Sequence, residues 1–379
     1  MEKRQLGKIK EEISLLGFGA MRLPRRDGDY DLPELKAMLD TAMAGGVNYY
    51  DTAYIYDNGN SEKILGELLV DRYPRERFYL ADKLPGWRLP KGGGPAEMRA
   101  ILEESLERLH TDYLDFYLVH SLSGESWAKL VEKGVKDFLA ELRESGKARY
   151  IGFSFHDAPE SLPGIVAAFP WDFAQIQLNY LDWGGEQQAR AQYDYLTAQG
   201  VPVVVMEPVR GGSLAQLPPD ALSELEGVAA SAPALLALRF AASQANVLTV
   251  LSGMSSRAQV AENCQGFRDF QPLSAAEQQA ISRVLARLNE RELVLCTGCR
   301  YCEADCPRKI NISAAMNGLN HYLTLPNRAA LNNYIRQIKP GQQPQDCLGC
   351  GVCQTHCPQK IDIPQHLADL AKALAENGF

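Results

Sequence analysis

From residue 15 to about residue 290 the chain alternates two hydrophobic patterns. Strand-sized runs rich in β-branched and aromatic residues recur at 15–21, 47–53, 78–83, 113–120, 148–155, 173–180, 202–209 and 248–254. Between them lie segments with helical spacing of apolar positions, at 33–43, 62–69, 97–110, 126–145, 187–198 and 232–242. Several close on glycine, as at Gly45, Gly146 and Gly200, which suits a helix C-terminus. Eight strand–helix units in about 285 residues are what a (β/α)8 barrel requires. The alternative is an open doubly wound sheet. Its dinucleotide fingerprint is missing, because Gly17-Phe18-Gly19-Ala20-Met21-Arg22 lacks the last glycine. The expected fold is therefore α/β, a TIM barrel over residues 1–285, followed by a small, mainly α-helical domain over 286–379.

That second region contains an internal repeat with an offset of 51 residues: CTGCRYCEADCPRKINI begins at Cys296 and CLGCGVCQTHCPQKIDI at Cys347. Helical patterns at 313–322 and 327–338 fill the spacer, and another starts at residue 364 and runs to 375. Each half of the repeat reads C-x2-C-x2-C-x3-C-P, a run of soft thiolate ligands suited to a 4Fe-4S cluster. Zinc knuckles are the competing reading, but they use two well-separated C-x2-C pairs. In two-cluster proteins the fourth cysteine of each run ligates the other cluster. Cys296, Cys299, Cys302 and Cys357 are thus expected on one cluster, and Cys347, Cys350, Cys353 and Cys306 on the other. With its long helical spacer, the tail resembles the α-helical ferredoxin domain of succinate dehydrogenase iron–sulfur subunits.

Composition narrows the class. The 379 residues are 46% apolar and 23% charged, enough to bury a core. No apolar run approaches the roughly 18 residues of a membrane span. The first residues, MEKRQLGKIKEEISLLGFGAM, show no apolar targeting core. Eight of nine cysteines cluster between Cys296 and Cys357, which without an export signal reads as metal binding in a cytoplasmic protein rather than a disulfide framework. The net charge is −8, with 29 basic against 39 acidic residues through 285 and 10 against 8 after it. Neither part has a basic stripe, so nucleic acid and membrane are excluded as expected partners.

Polar residues sit where predicted strands end: Asp51 after the second, Lys83 after the third, His120 after the fourth. Barrel enzymes place their chemistry at this face. Tyr56 follows Asp51 by five residues. A phenol is a poor acid near neutral pH, and a lysine beside it favours the phenolate. An aspartate can hold that lysine charged and aimed, and a histidine can hydrogen-bond a substrate oxygen. Taken singly each residue is also explicable as a cap or a packed polar group; three consecutive strands ending this way favour the joint reading.

DTAYIY with NSEKILGELL, then YLADKL, SLERLHTDYLDFYLVH and LRESGKARYIGFS resemble the aldo-keto reductase family over roughly residues 2–270. The resemblance implies an NADPH-dependent reductase of a small aldehyde or ketone, with Asp51, Tyr56, Lys83 and His120 as its catalytic tetrad. It implies nicotinamide contacts from Ser154 and from Gln175 in FAQIQLNY. LSGMSSRAQVAEN is similar to the segment that binds the adenosine phosphate, pointing to Gly253, Ser255, Arg257, Gln259 and Asn263. Arg257 and the hydroxyls lie where a 2′-phosphate would sit, which favours NADPH over NADH. Two features depart from the family: Ser154 is followed by Phe155 and His156, and MEPVRGG after strand seven shows Glu207 in a region where an aromatic residue commonly stacks on the nicotinamide. His156 reads as a loop histidine, and Cys264 as a small packed residue.

The expected protein is an oxidoreductase with two 4Fe-4S clusters that exchange electrons with ferredoxin or another one-electron carrier. Nicotinamide delivers two electrons as hydride and a cluster passes one at a time, so the route needs a flavin or a substrate that accepts single electrons. The chain shows no recognisable flavin motif. Two other readings make the barrel a docking scaffold or flavin site of an electron-transfer module, or make the clusters structural staples.

Overall fold

The computed structural model describes residues 1–184, 188–228, 232–291, 293–324, 328–335 and 338–379, leaving aside the side chains of 328–330 and 333. Eight strands form the barrel: β1 (Leu16–Gly19), β2 (Tyr49–Asp51), β3 (Tyr79–Leu84), β4 (Leu114–Leu122), β5 (Ala148–Phe155), β6 (Phe173–Gln177), β7 (Val203–Met206) and β8 (Val247–Ser252). They close in sequence order, and all eight pairings are parallel. The helices are α1 (Leu32–Ala44), α2 (Asn60–Leu65), α3 (Pro95–Arg108), α4 (Gly124–Glu132), α5 (Val135–Ser145), α6 (Leu162–Ala168), α7 (Ala189–Ala198), α8 (Pro219–Ser223), α9 (Pro233–Ala242), α10 (Arg257–Gly266), α11 (Ala275–Asn289), α12 (Ile312–Thr324), α13 (Arg328–Ile335), α14 (Val352–Thr355) and α15 (Ile363–Glu376).

The expected single helix at 126–145 is two helices. Gly134 has φ 79° and separates α4 from α5, a left-handed turn that glycine adopts without strain. The expected helix at 187–198 is α7; Gln187 lies outside the described residues, as do 327, 336 and 337 of the helix expected at 327–338. Helix α11 was not anticipated, although Ser274 and Glu277 form a capping box at its start.

The chain divides into two compact units, one of Met1–Pro208 with Leu235–Leu273, the other of Val209–Ala234 with Ser274–Phe379. The expected boundary at 285/286 falls inside α11. That helix belongs with α8: Arg283 and Arg287 pair with Glu224, which follows α8, and Arg291 pairs with Asp220 within it. In the first unit, a short antiparallel pairing of Lys3–Arg4 with Ile13–Ser14 carries Ile9 and Ile13 onto the barrel core. In the second, Ile312, Met316 and Leu319 of α12, Leu331 and Tyr334 of α13, and Ile363, Leu367, Leu370 and Leu374 of α15 form a core that also takes in Cys302 and Cys353. No helix among the described residues is long and apolar enough to cross a membrane.

Candidate functional site

Alternate side chains of a barrel strand face the interior. Tyr49, Ala81, Phe116 and Phe173, from β2, β3, β4 and β6, pack in one apolar cluster with Leu118 and Val204. The same parity, two or four residues further on, turns Asp51, Lys83, His120 and Gln175 inward near the carboxyl ends of those strands. All four are buried.

The ammonium of Lys83 uses its three donors on Asp51 Oδ1 (2.6 Å), the Thr52 carbonyl (2.6 Å) and Tyr56 Oη (3.2 Å). Tyr56 reaches the lysine because its loop is pinned. Thr52 Oγ1 and Ser61 Oγ are 2.8 Å apart, and Ser61 Oγ donates to the Ala20 carbonyl at 2.8 Å. Gly59 turns that loop at φ 84°, where a Cβ would lie 2.6 Å from the Arg108 guanidinium. The His120 ring stands edge-on to Tyr56, with centroids 5.9 Å apart. Trp87, half exposed in the loop after β3, lies 5.1 Å from His120.

Burial sets the charge states. It pushes the Tyr56 phenol well above its ordinary value, and the Asp51 carboxylate adds to this. The expectation that Lys83 favours the phenolate is thus outweighed, and the resting phenol keeps its proton. Burial also raises Asp51, with Lys83 opposing. His120 is driven well below its usual range by burial, then by Lys83 and His156, so its imidazole is neutral near pH 7. His156 falls to about 4 through burial and lies near enough to influence His120. On the outward side of β3, Asp82 faces Glu62 of α2; burial and that neighbour hold Asp82 well above the carboxylate range. Its Oδ1 accepts the Lys83 backbone N–H at 2.7 Å, while Arg108 pairs with Glu62 at 2.8 Å.

Ser154 and Gln175 are register partners on β5 and β6. Ser154 Oγ accepts the Ser121 N–H at 2.7 Å. Gln175 Oε1 is buried without a hydrogen-bond partner among the described residues, an orphaned acceptor that an amide donor such as the nicotinamide carboxamide would satisfy. The 253–263 segment follows β8. Exposed Gly253 leaves room for close approach, since the nearest atom to a Cβ there is an Arg22 nitrogen at 3.8 Å. Gln259 Oε1 accepts from Ser255 N at 2.8 Å, and Ser256 caps α10. The Arg257 N–H, at the start of that helix, already holds a carboxylate, Glu34 Oε1 at 2.6 Å. Asn263 is buried and donates to Ser252 Oγ at 3.1 Å, so it serves the end of β8. The unsatisfied Gln175 acceptor and the open approach at Gly253 fit a dinucleotide, whereas Asn263, expected among its contacts, is turned to Ser252 instead.

The cysteine repeat is also a backbone repeat. Gly298 and Gly349, Arg300 and Gly351, and Lys309 and Lys360 are matched left-handed positions. Gly298 N donates to Cys296 Sγ at 3.4 Å, and Gly349 N to Cys347 Sγ at 3.5 Å. Cys296, Cys299, Cys302 and Cys357 line one pocket, and Cys306, Cys347, Cys350 and Cys353 line another, both partly open to solvent. Among the described residues no three His, Cys, Asp or Glu converge tightly enough for a single metal ion. Four thiols framing each pocket, three of them at C-x2-C-x2-C spacing, suit a 4Fe-4S cluster. Burial and the neighbouring sulfurs raise the Cys302 and Cys353 thiols, a crowding that iron relieves. The donor sets fit two clusters.

Trp87 and Arg22 escaped the sequence reading, since neither stands in a patterned motif. A tryptophan four residues after the predicted lysine was the available signal for the first.

A closed parallel barrel with a buried lysine–aspartate–tyrosine group at the carboxyl ends of its strands defines a (β/α)8-barrel enzyme. Residues 15–286 match the aldo/keto reductase family, and residues 295–361 match a 4Fe-4S dicluster domain. L-galactose dehydrogenase of Arabidopsis thaliana is 29% identical over 304 residues, covering 76% of this chain and 94% of its own. An aldo-keto reductase of Schizosaccharomyces pombe whose name carries NADP(+) is 29% identical over 180 residues, 46% of this chain and 51% of its own. The holo form of an aldo-keto reductase from Bacillus halodurans superposes with a TM-score of 0.63 at 28% identity, over 75% of this chain and 96% of its own. The chain belongs to the aldo/keto reductase family of NAD(P)H-dependent oxidoreductases and carries a 4Fe-4S dicluster domain.

The depressed imidazoles give a pH signature. Below the ordinary histidine value of about 6.5 the unfolded chain binds protons that the folded chain refuses, so stability is full above that value and falls as the pH drops toward about 4. Thermal melts between about pH 7 and about pH 4 should show this decline, and His156→Gln should make it shallower.

Proposed function

We propose that the barrel reduces an aldehyde or ketone with NADPH, Tyr56 giving the proton. The observation that carries this reading is the contact of a protonated, buried Tyr56 with a lysine whose charge Asp51 balances. Gln175 and the 253–263 segment would hold NADPH, whose chemistry would be the delivery of hydride to the carbonyl carbon. Neutral His120 donates a hydrogen bond to the carbonyl oxygen, and Trp87 beside it walls the substrate. As negative charge grows on that oxygen, Tyr56 releases its proton to it, and Lys83 steadies the phenolate left behind. The two four-cysteine sets hold 4Fe-4S clusters that exchange single electrons with ferredoxin or a similar carrier. Exposure of Cys350 supports this, because it leaves one set open to a partner. Thiolates kept for iron also fit a reducing, cytoplasmic setting. A staple role has support as well, since Cys302 and Cys353 belong to the core of their unit.

Tyr56→Phe keeps the ring and removes the proton. Steady-state assays against a carbonyl panel should show kcat down by at least ~10²-fold with NADPH affinity little changed; unchanged turnover removes the donor assignment.

Fluorescence titration should find NADPH bound more tightly than NADH. Arg257→Gln should weaken NADPH by about tenfold and leave NADH unchanged, the loss of one charge-assisted phosphate contact.

Anaerobic preparation should contain about eight Fe per chain, bleached by dithionite with an EPR signal appearing. If ligation is crossed, Cys357→Ser should alter the same signal as Cys296→Ser and spare the one changed by Cys347→Ser.

A further inference from the structure

The loop after β7 carries a charged residue that the Lys83 group does not touch. Glu207 follows β7 with its backbone in the left-handed region, φ 53°, an uncommon conformation for a residue with a Cβ. The end of β6 imposes it. Asn179, fully buried, donates from Nδ2 to the Glu207 carbonyl at 3.0 Å and to Asp182 Oδ2 at 2.5 Å. Gln177 Nε2 donates to the same Asp182 oxygen at 2.7 Å, and Asn179 Oδ1 accepts from the N–H groups of Leu181 and Asp182. A buried network thus fixes a strained backbone, and the Glu207 side chain, 12% exposed, accepts a hydrogen bond from Arg22 Nη2 at 2.7 Å.

The pair stands at the Tyr56 end of the barrel. Arg22 leads out of β1, and three residues on Arg25 pairs with Asp57, the neighbour of Tyr56. Arg22 also borders Gly253 at the end of β8. Lys83 from β3 touches the Tyr56 hydroxyl and His120 from β4 stands edge-on to its ring, while Asp51 from β2, Arg22 from the β1 loop, Glu207 from the β7 loop and, from behind the β3 wall, Asp82 act on the phenol through their charges. Of the pair, the cation favours ionisation of the phenol and the carboxylate opposes it.

We propose that Arg22, clamped by Glu207, is a positioning residue for the proton donor: a second cation, besides Lys83, that stabilises the charge left on Tyr56. The inference rests on the reading of Tyr56 as that donor. In the step, the Tyr56 O–H bond breaks and an O–H bond forms on the substrate oxygen. The carbonyl carbon gains hydride with its electron pair from NADPH, and the phenolate remains beside two cations. Glu207 sacrifices part of the arginine's field to hold a third-exposed guanidinium in one place.

The test reads Tyr56 without turnover. The full chain is labelled with 3-fluorotyrosine, and the Tyr56 resonance is assigned by its loss in Tyr56→Phe. Its fluorine shift is then followed from about pH 7 up to the alkaline limit of the fold, because burial sets the Tyr56 phenol well above the ordinary value. Acidity of Tyr56 should fall in the order Glu207→Gln, wild type, Arg22→Gln, each step about threefold or more in the dissociation constant. Arg22→Lys and the double variant Arg22→Gln/Glu207→Gln should lie near wild type. The alkaline limb of kcat should move in the same order. Equal-direction shifts in the two single variants, or no shift in either, overturn the proposal; so does a change confined to NADPH affinity, which would make the pair a cofactor ligand. If wild type reduces no carbonyl, the reductase reading fails on its own, while the fluorine ordering still decides the charge coupling.

Discussion

The barrel's chemistry depends on one buried ion pair. Lys83 and Asp51 lie 2.6 Å apart with almost no exposure. Withdrawing either charge from water costs several kcal/mol, and the other partner must offset it at close range. The Thr52 carbonyl and the Tyr56 hydroxyl take the remaining donors of the ammonium, so no proton of the lysine is left unsatisfied. Because the pair joins β2 to β3 and the lysine reaches Tyr56, loss of either partner would strand a buried charge and release the loop that presents the phenol. Structure and reactivity rest on the same contact.

Two layers make such a pair tolerable. Tyr49, Ala81, Phe116 and Phe173 fill the barrel below with apolar volume, and the polar layer sits one register step above it. The apolar floor keeps water and its high dielectric away, which holds His120 neutral and Tyr56 protonated. Those are the states a hydrogen-bond donor to a carbonyl and a proton donor must have. Outside the wall, Asp82 is kept as an acid against Glu62, whose charge Arg108 takes up; a neutral Asp82 adds no second anion beside the catalytic group.

The second unit solves its stability problem differently. Its core is small and helical, and cysteines belong to it: Cys302 and Cys353 pack among isoleucines and leucines of α12 and α15. Thiols in such a place are poor neighbours for one another until a metal takes their charge. The close approach of Gly318 on α12 to Tyr334 on α13, where a Cβ would sit 2.9 Å from the ring side chain, shows how tightly the spacer helices meet.

The sequence by itself determined what is local. Alternating apolar runs announced eight strands, and the 51-residue repeat announced both cysteine sets, because periodicity and ligand spacing are properties of short stretches of chain. Asp51, Lys83 and His120 were legible because each ends an expected strand, and a closed parallel barrel gathers strand ends; Gln175, in mid-strand, was legible only through the family resemblance. Local reading erred where one residue changes the backbone, as Gly134 divides α4 from α5. It also passed over α11, whose capping signal lay unused. Tertiary structure alone decided the rest. Arg22 meets Glu207 across 185 residues because closure sets the loops of β1 and β7 within reach. Trp87 meets His120 because β3 and β4 are neighbours in register. Whether Tyr56 holds its proton is also outside any motif, since burial outweighs the lysine beside it, and burial is a property of the assembled barrel.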